Sequence, residues 1–438
     1  MTTNPNPDRL VDPSLLVRPD RRLIRAHGRS ERFLLVDVVA PTATPDPARR
    51  RPPVNLGFVL DRSGSMGGQN KLGLAKQAVV EAIHRLEAED RFSVVTYDDE
   101  VEVAIAGMTA SPADRDRAAG GLRGVDARGS TNLHGGWLAG CEQVAAGLQP
   151  DGVNRVLLLT DGLANVGLID HDELQRLAGE LRDRGITTST FGVGTDFDER
   201  LLQGIADAGG GHFYFIGDVA QMRDHITSEV GETLEVVARE VVLDLRFSGS
   251  VRVEALSPFR EEQRDGSARV FLGDMVSGQV ISIVLRVTFD YGDIGREVGV
   301  NARVTDRDGA FVAARPAADP VTVAWEYADH EANDAQPRDR RVDRVVARLF
   351  AERAKQEAVR LNREGRYGEA EQAIDGVRRR IAAYAGSDPE LRGVVAELKE
   401  QRPRYAAPMA EMQRKQVHYA ASMSLRSRSA EGNSQRRS

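Results

Sequence analysis

Cysteine is almost missing from this chain of 438 residues: Cys141 is the only one. A single thiol excludes an intrachain disulfide framework and any zinc site built on cysteine pairs. Its surroundings, Trp137-Leu-Ala-Gly-Cys141, read as a helix interior, so the thiol is expected to be buried and inert. Lysine is scarce too, occurring only at positions 71, 76, 355, 399 and 415, and the basic charge is otherwise arginine, which we read as a codon bias. No stretch approaches the roughly 18 consecutive apolar residues of a transmembrane helix. Met1-Thr-Thr-Asn-Pro-Asn-Pro lacks the basic and apolar regions of a signal peptide, so the cytoplasm is the expected location. The formal charge of −7 and pI near 5.8 oppose a body laid on DNA phosphates or anionic lipid, both of which reward clustered positive charge. Neither nucleic acid nor membrane insertion is therefore expected. What is present is ample core material, 41% apolar residues in a length suited to two or three domains.

The pattern changes along the chain. Residues 1–28 are rich in Pro, Asp and Arg and are expected to form a flexible lead. Residues 29–41 hold Phe33-Leu-Leu-Val-Asp-Val-Val-Ala, a strand without a local partner that is expected to join a later sheet. From 54 to 236 apolar strand runs alternate with helical spacing such as Leu72, Ala75, Val79, Ala82, Ile83 and Leu86. That alternation implies a largely parallel sheet with helices on both faces. From 237 to 328 the helical period gives way to strand alternation with turns at Arg264-Asp-Gly and Arg307-Asp-Gly, which fits an antiparallel β-sandwich. Residues 342–400 predict a helical hairpin or bundle, with one turn at Gly365 resembling a tetratricopeptide-like hairpin; one copy cannot make a solenoid. Residues 401–438 are expected to be a tail, disordered over its Ser/Arg-rich end. The fold class is thus α/β, Rossmann-like and doubly wound, with a flanking antiparallel β-sandwich and a C-terminal α-helical segment.

The chemistry concentrates at the end of one apolar run. Val54-Asn-Leu-Gly-Phe-Val-Leu stops abruptly in Asp61-x-Ser63-x-Ser65, one carboxylate and two hydroxyls in a tight turn. In an open α/β sheet, ligands sit beyond the carboxyl ends of the strands, and oxygen-only donors favour Mg²⁺, Mn²⁺ or Ca²⁺ over zinc or copper. Two more segments bear on this site: Arg128-Gly-Ser-Thr131, before a helix, and Thr160-Asp161-Gly162, at a strand end. Each residue also has a plain reading. Asp61, Ser63, Ser65 or Thr131 could cap a helix, and Asp161 could open a turn with Gly162. Asp98 and Asp99 read as turn or rim residues, Asp196 and Asp198 as loop and cap residues. Gly64, Gly67 and Gly68 suit a loop that must bring side-chain oxygens together, because glycine permits positive φ and close approach. Gly209-Gly-Gly211 precedes a strand and reads as a turn, because a phosphate loop follows one and carries Gly-Lys-Ser/Thr.

Taken together, Asp61, Ser63, Ser65, Thr131 and Asp161 make residues 54–236 resemble a von Willebrand factor A (VWA) domain with a metal-ion-dependent adhesion site (MIDAS). Asp90-Arg-Phe-Ser-Val94 and Gly192-Val-Gly-Thr195 agree with the family, and the flanking regions, including Arg414-Lys-Gln-Val-His-Tyr419, resemble bacterial relatives of inter-alpha-trypsin inhibitor heavy chains. The resemblance implies a Mg²⁺ ion, with Ser63 and Ser65 as direct ligands and Thr131 and Asp161 alternating between direct and water-mediated contact. It also implies a position left for the Asp or Glu of a protein partner, hence a metal-dependent interaction module or scaffold and not an enzyme. Two alternatives stand beside it. A Mg²⁺-dependent phosphohydrolase of the haloacid-dehalogenase type needs Asp-x-Asp, whereas Ser63 fills the second place, and His84, His134 and His171 lie in no catalytic motif. The other is a structural scaffold with a vestigial metal site.

Overall fold

The computed structural model describes residues 14–43, 51–314 and 320–436. The chain divides into two compact units, one built from residues 45–236 with 431–433 and the other from the remainder. It opens with β1 (Ser14–Pro19), β2 (Leu23–Arg25) and β3 (Ser30–Val39). Residues 14–28 are therefore not a flexible lead; 1–13 lie outside the described residues. Composition misleads here because β1 is held by pairing: it runs antiparallel to β3 from Ser14 opposite Val39 to Pro19 opposite Leu34. Leu15 and Val17 pack on the core of the same unit.

The unit of residues 45–236 is an α/β sheet of six strands: β4 (Val54–Asp61), β5 (Arg91–Tyr97), β6 (Val101–Thr109), β7 (Val153–Thr160), β8 (Ile186–Val193) and β9 (Gly210–Ile216). Their order is β6-β5-β4-β7-β8-β9, all parallel except β6, which runs antiparallel to β5. Every residue of β4 and β7 is buried, which is why each carries an apolar run, at 56–60 and 156–159, instead of strict alternation. The chain builds outward from β4 in one direction and then, from β7, in the other. The crevice between the carboxyl ends of β4 and β7 is thus the topological switch point, where such sheets bind ligands.

Five helices connect these strands, α1 (Lys71–His84), α2 (Pro112–Leu122), α3 (Leu133–Ala146), α4 (His171–Asp183) and α5 (Glu199–Ala208), and α6 (Met222–Leu234) follows β9. Helix α3 lies unusually close to the sheet because two glycines face it. A Cβ at position 136 would sit 2.4 Å from the Tyr97 ring, and one at position 140 would sit 2.2 Å from Val59 Cγ2.

The second unit continues with β10 (Val236–Phe247), β11 (Val251–Ala255), β12 (Arg260–Arg264), β13 (Ser267–Val276), β14 (Val280–Phe289), β15 (Glu297–Thr305) and β16 (Val321–Ala328). One sheet has the order β1-β3-β14-β11 and is antiparallel throughout. The other has the order β12-β13-β10-β15-β16-β2. Side chains from both sheets, among them Leu34, Val36, Ile283, Leu243, Val300 and Trp325, share one hydrophobic cluster.

The helices α7 (Ala310–Ala314), α8 (His330–Ala335), α9 (Arg340–Arg363), α10 (Tyr367–Ala385), α11 (Pro389–Tyr405) and α12 (Glu411–Leu425) complete the unit. The expectation of a tail over 401–438 is corrected as far as residue 436. In α12, Tyr419, Ala421, Met423 and Leu425 are buried, and the Ser/Arg-rich end is tied down by polar contacts. Ser427 Oγ accepts the Ser282 amide at 3.0 Å, and Arg426 donates to the Pro258 carbonyl at 3.2 Å. Ser427 and Arg426 thus satisfy backbone groups of β14 and of the loop between β11 and β12, a role composition does not disclose. Among the described residues, no helix is long and apolar enough to cross a membrane.

Candidate metal centre

Asp61 ends β4 with its side chain fully buried. Parallel pairing sets Leu60 beside Leu159, so the next residues, Asp61 and Thr160, meet. The Thr160 hydroxyl donates to Asp61 Oδ2 at 2.6 Å, and the Ser63 amide donates to Oδ1 at 2.7 Å. Burial pushes the Asp61 carboxyl up to about 6, aided by the nearby Asp161 charge and opposed by the Ser63 and Thr160 hydrogen bonds.

Past Asp61 the chain turns through a short 3-10 segment, Gly64–Asn70, into α1. Ser63 Oγ and Ser65 Oγ lie 3.1 Å apart, and Ser65 Oγ donates to Asp161 Oδ1 at 2.6 Å. Asp161 Oδ2 accepts from Lys71 Nζ at 2.6 Å. Thr131 joins across Gly162: a Cβ at position 162 would lie 3.2 Å from Thr131 Oγ1 and 3.7 Å from Ser65 Oγ. Glycine thus leaves open a small cradle faced by hydroxyls. The structure brings together all five residues singled out in the sequence, and their donor set is oxygen throughout, which fits a hard divalent ion.

The loops that carry these side chains are bonded to one another. Gly64 N donates to Gly129 O at 3.1 Å, and Arg128 N donates to Arg62 O at 2.8 Å. The Thr131 amide donates to Asn165 Oδ1 at 3.0 Å, while the Asn165 and Val166 amides return bonds to the Thr131 carbonyl, both at 3.3 Å. Asp98 and Asp99 do more than form a turn. Buried Asp98 accepts from Arg62 Nε at 3.0 Å, Arg128 Nε at 2.8 Å and the Glu100 amide at 2.6 Å. Burial opposes its charge, but the Glu100 amide and the two guanidiniums outweigh it and hold the carboxyl below its ordinary range. Asp99 Oδ1 takes the Ser130 amide at 3.1 Å. Gly129, at φ +68°, could carry no side chain, because its Cβ would fall 1.9 Å from Asp99 Oδ1.

Gly64, Gly67 and Gly68 do not use the positive φ that glycine permits. Gly68 has φ −71°, and the left-handed residues of this turn are Gln69 and Asn70, at φ 51° and 56°. Thr131 does not cap α3; Asn132 does, accepting the Gly135 amide at 3.0 Å. Asp198 caps α5. Sequence reasoning missed Thr160 and Lys71. Thr160 shares the Thr-Asp-Gly strand end with Asp161, so register alone could have flagged it, and Lys71 is one of only five lysines.

A second cluster, His212, Glu229 and Glu232, has metal-ligand residue types. Glu229 is fully buried and already surrounded by donors: Arg155 at 3.0 Å, Ser189 at 2.5 Å and Tyr214 at 2.6 Å, with His212 Nδ1 at 3.0 Å. The guanidinium supplies the counter-charge an ion would bring, so this cluster is structural.

Comparison with known proteins places this geometry in context. Residues 55–228 match the von Willebrand factor type A domain. Over 275 residues the chain is 29% identical to YfbK of Escherichia coli K12, covering 61% of this chain and 47% of that protein. It therefore spans about half of that relative's length. A Synechocystis protein is 28% identical over 321 residues, covering 71% of this chain and 74% of its own. Inter-alpha-trypsin inhibitor heavy chain H1 of Sus scrofa is 33% identical over 156 residues, covering 34% of this chain and 17% of its own. Among solved structures, a von Willebrand factor type A protein from Catenulispora acidiphila superposes with TM-score 0.65 at 19% identity, covering 89% of this chain and 96% of its own. The ArnB paralog VWA2 from Sulfolobus acidocaldarius gives 0.60 at 16% identity, with 95% and 98% covered. At these identities the two structures speak to fold.

Proposed function

We propose that in this chain, whose residues 55–228 match the von Willebrand factor type A domain, Asp61, Ser63, Ser65, Thr131 and Asp161 form a metal-ion-dependent adhesion site that binds an Asp or Glu of a protein partner. The observation that carries this reading is the convergence of two buried carboxylates and three hydroxyls from three separate loops on one glycine-lined cradle. Mg²⁺ is the ion we favour; Mn²⁺ and Ca²⁺ suit the same oxygen donors. When bound, such an ion supplies a Lewis-acidic bridge to an incoming carboxylate.

The chain's own residues do the rest. Asp61 and Asp161 balance the formal charge of a divalent ion, while Ser63, Ser65 and Thr131 contribute neutral oxygens that donate little charge and leave the ion electrophilic. The Asp98 cluster with Arg62 and Arg128 holds two of the loops in register, which makes the site rigid before any partner arrives. We read the two sheets of the second unit as a β-sandwich and, with α9 to α12, as a scaffold. No residue is assigned a catalytic role.

The test is capture of partners on the full chain in Mg²⁺ and in EDTA. Metal-bridged recognition requires partners that elute with EDTA and are lost in Thr131→Ala. Recovery of the same proteins in both conditions would rule it out.

A further inference from the structure

We propose that Lys71 is a built-in counter-cation of this centre: its ammonium holds Asp161 in place of an ion, weakens divalent metal binding, and leaves the loaded centre with surplus positive charge for a partner carboxylate. The inference rests on the metal-bridged reading above and concerns what sets the strength of that same site.

Lys71 Nζ lies 2.6 Å from Asp161 Oδ2, with the lysine side chain 14% exposed and the aspartate side chain 0% exposed. This is a nearly buried, charge-assisted bond and not a surface ion pair. Ser65 Oγ occupies the other Asp161 oxygen, so both oxygens are already held by protein donors.

The backbone is built to deliver the ammonium there. Lys71 is the first residue of α1, directly after the two left-handed residues Gln69 and Asn70. Non-glycine residues adopt that conformation at a cost, which the surrounding structure must offset. On the far side, Gly194 at φ +77° follows β8, and a Cβ there would lie 3.8 Å from Nζ.

Two carboxylates alone would cancel a divalent ion. With the Lys71 ammonium beside them, the loaded centre keeps one positive charge. The same charge must repel the entering ion, and at a partly buried site that repulsion is poorly screened. Lysine therefore trades metal affinity for attraction to an anionic partner. A purely structural ion pair predicts the opposite for metal, because its loss would loosen Asp161 and weaken binding.

The experiment is Mn²⁺ titration by calorimetry on the full chain as wild type, Lys71→Met, Lys71→Gln and Lys71→Arg, with circular dichroism to confirm folding. Acetate is then titrated onto the Mn²⁺-loaded proteins and followed by Mn²⁺ water-proton relaxation. Removing the charge should tighten Mn²⁺ binding at least about tenfold in both neutral variants and weaken acetate binding several-fold, whereas Lys71→Arg should stay near wild type. Binding of Mn²⁺ by the neutral variants alone would also support the inference. A wild type that binds Mn²⁺ with neutral variants equal to it or weaker overturns the inference and leaves the metal site standing. Tighter Mn²⁺ with unchanged acetate overturns the partner half of the inference. Absence of Mn²⁺ binding in every protein overturns the metal-bridged reading and this inference with it.

Discussion

Replacing Arg155 with Met should be among the most damaging single changes in the α/β unit. Arg155 and Glu229 are 2% and 0% exposed at the side chain, and Arg155 Nη1 reaches Glu229 Oε1 and Thr233 Oγ1, each at 3.0 Å. The Arg155 Nε donates to Thr187 Oγ1 at 3.1 Å, so one guanidinium joins β7, β8 and α6. Methionine keeps much of the volume but strands the Glu229 carboxylate in the interior, and breaking a buried pair in this way costs about 3–5 kcal/mol. At 1.4 kcal/mol per factor of ten, that is roughly two to three and a half orders of magnitude in the opening equilibrium. Amide hydrogen exchange on the full chain, read on peptides covering 153–160 and 222–234, measures it directly. The double variant Arg155→Met with Glu229→Gln should recover most of the loss, because glutamine has no charge to bury; its oxygen can still accept one of the Ser189 and Tyr214 hydroxyls, and its NH2 can donate to the oxygen of the other. Two results would refute the reasoning: exchange in Arg155→Met within tenfold of wild type, or a double variant no better than the single one.

Other residues give sharper local tests. Gly162→Ala places a Cβ 3.2 Å from Thr131 Oγ1, so Mn²⁺ affinity should fall at least about tenfold while circular dichroism stays unchanged; wild-type affinity would show that the cradle is not where the ion sits. Gly136→Ala drives a Cβ to 2.4 Å from the Tyr97 ring. Overpacking of about 1–3 kcal/mol outweighs roughly 1 kcal/mol gained in helix propensity, so calorimetry should show this unit melting lower, and a higher melting temperature would contradict the packing argument. His225 has its imidazole pKa depressed, chiefly by burial, against the raising effect of Asp224 and Glu431. An unfolded imidazole takes up its proton first, so the stability tied to neutral His225 is intact above the unfolded value of about 6.5 and drains as pH falls through it. His225→Gln should flatten the stability profile between about pH 7 and 5, and an identical slope would remove His225 as the cause.

The most legible part of the site was the end of β4. A central parallel strand must be apolar on both faces, so a sudden Asp61-x-Ser63-x-Ser65 had to mark where the chain leaves the core. Asp161 and Thr131 stood in loops bracketed by clear helix and strand signals, which let them be brought to the same edge. Thr160 escaped because one threonine at a strand end means little until the register with Asp61 is known. Lys71 escaped for a different reason: its reach to Asp161 depends on the left-handed kink at Gln69 and Asn70, and the three nearby glycines drew attention to the wrong positions. The errors over 14–28 and 401–436 share one origin. Short strands and a final helix flanked by Arg, Ser and Pro look unstructured by composition, yet β1 is secured by its ladder with β3 and α12 by its buried face.

The central claim is that these oxygens hold a divalent ion, and calorimetric titration of Mn²⁺ into the wild type and Asp61→Asn tests it most directly. The account predicts one ion per chain, displaced by Mg²⁺ and removed by EDTA, with binding lost in Asp61→Asn. Equal heats in the two proteins, or none in either, would contradict it.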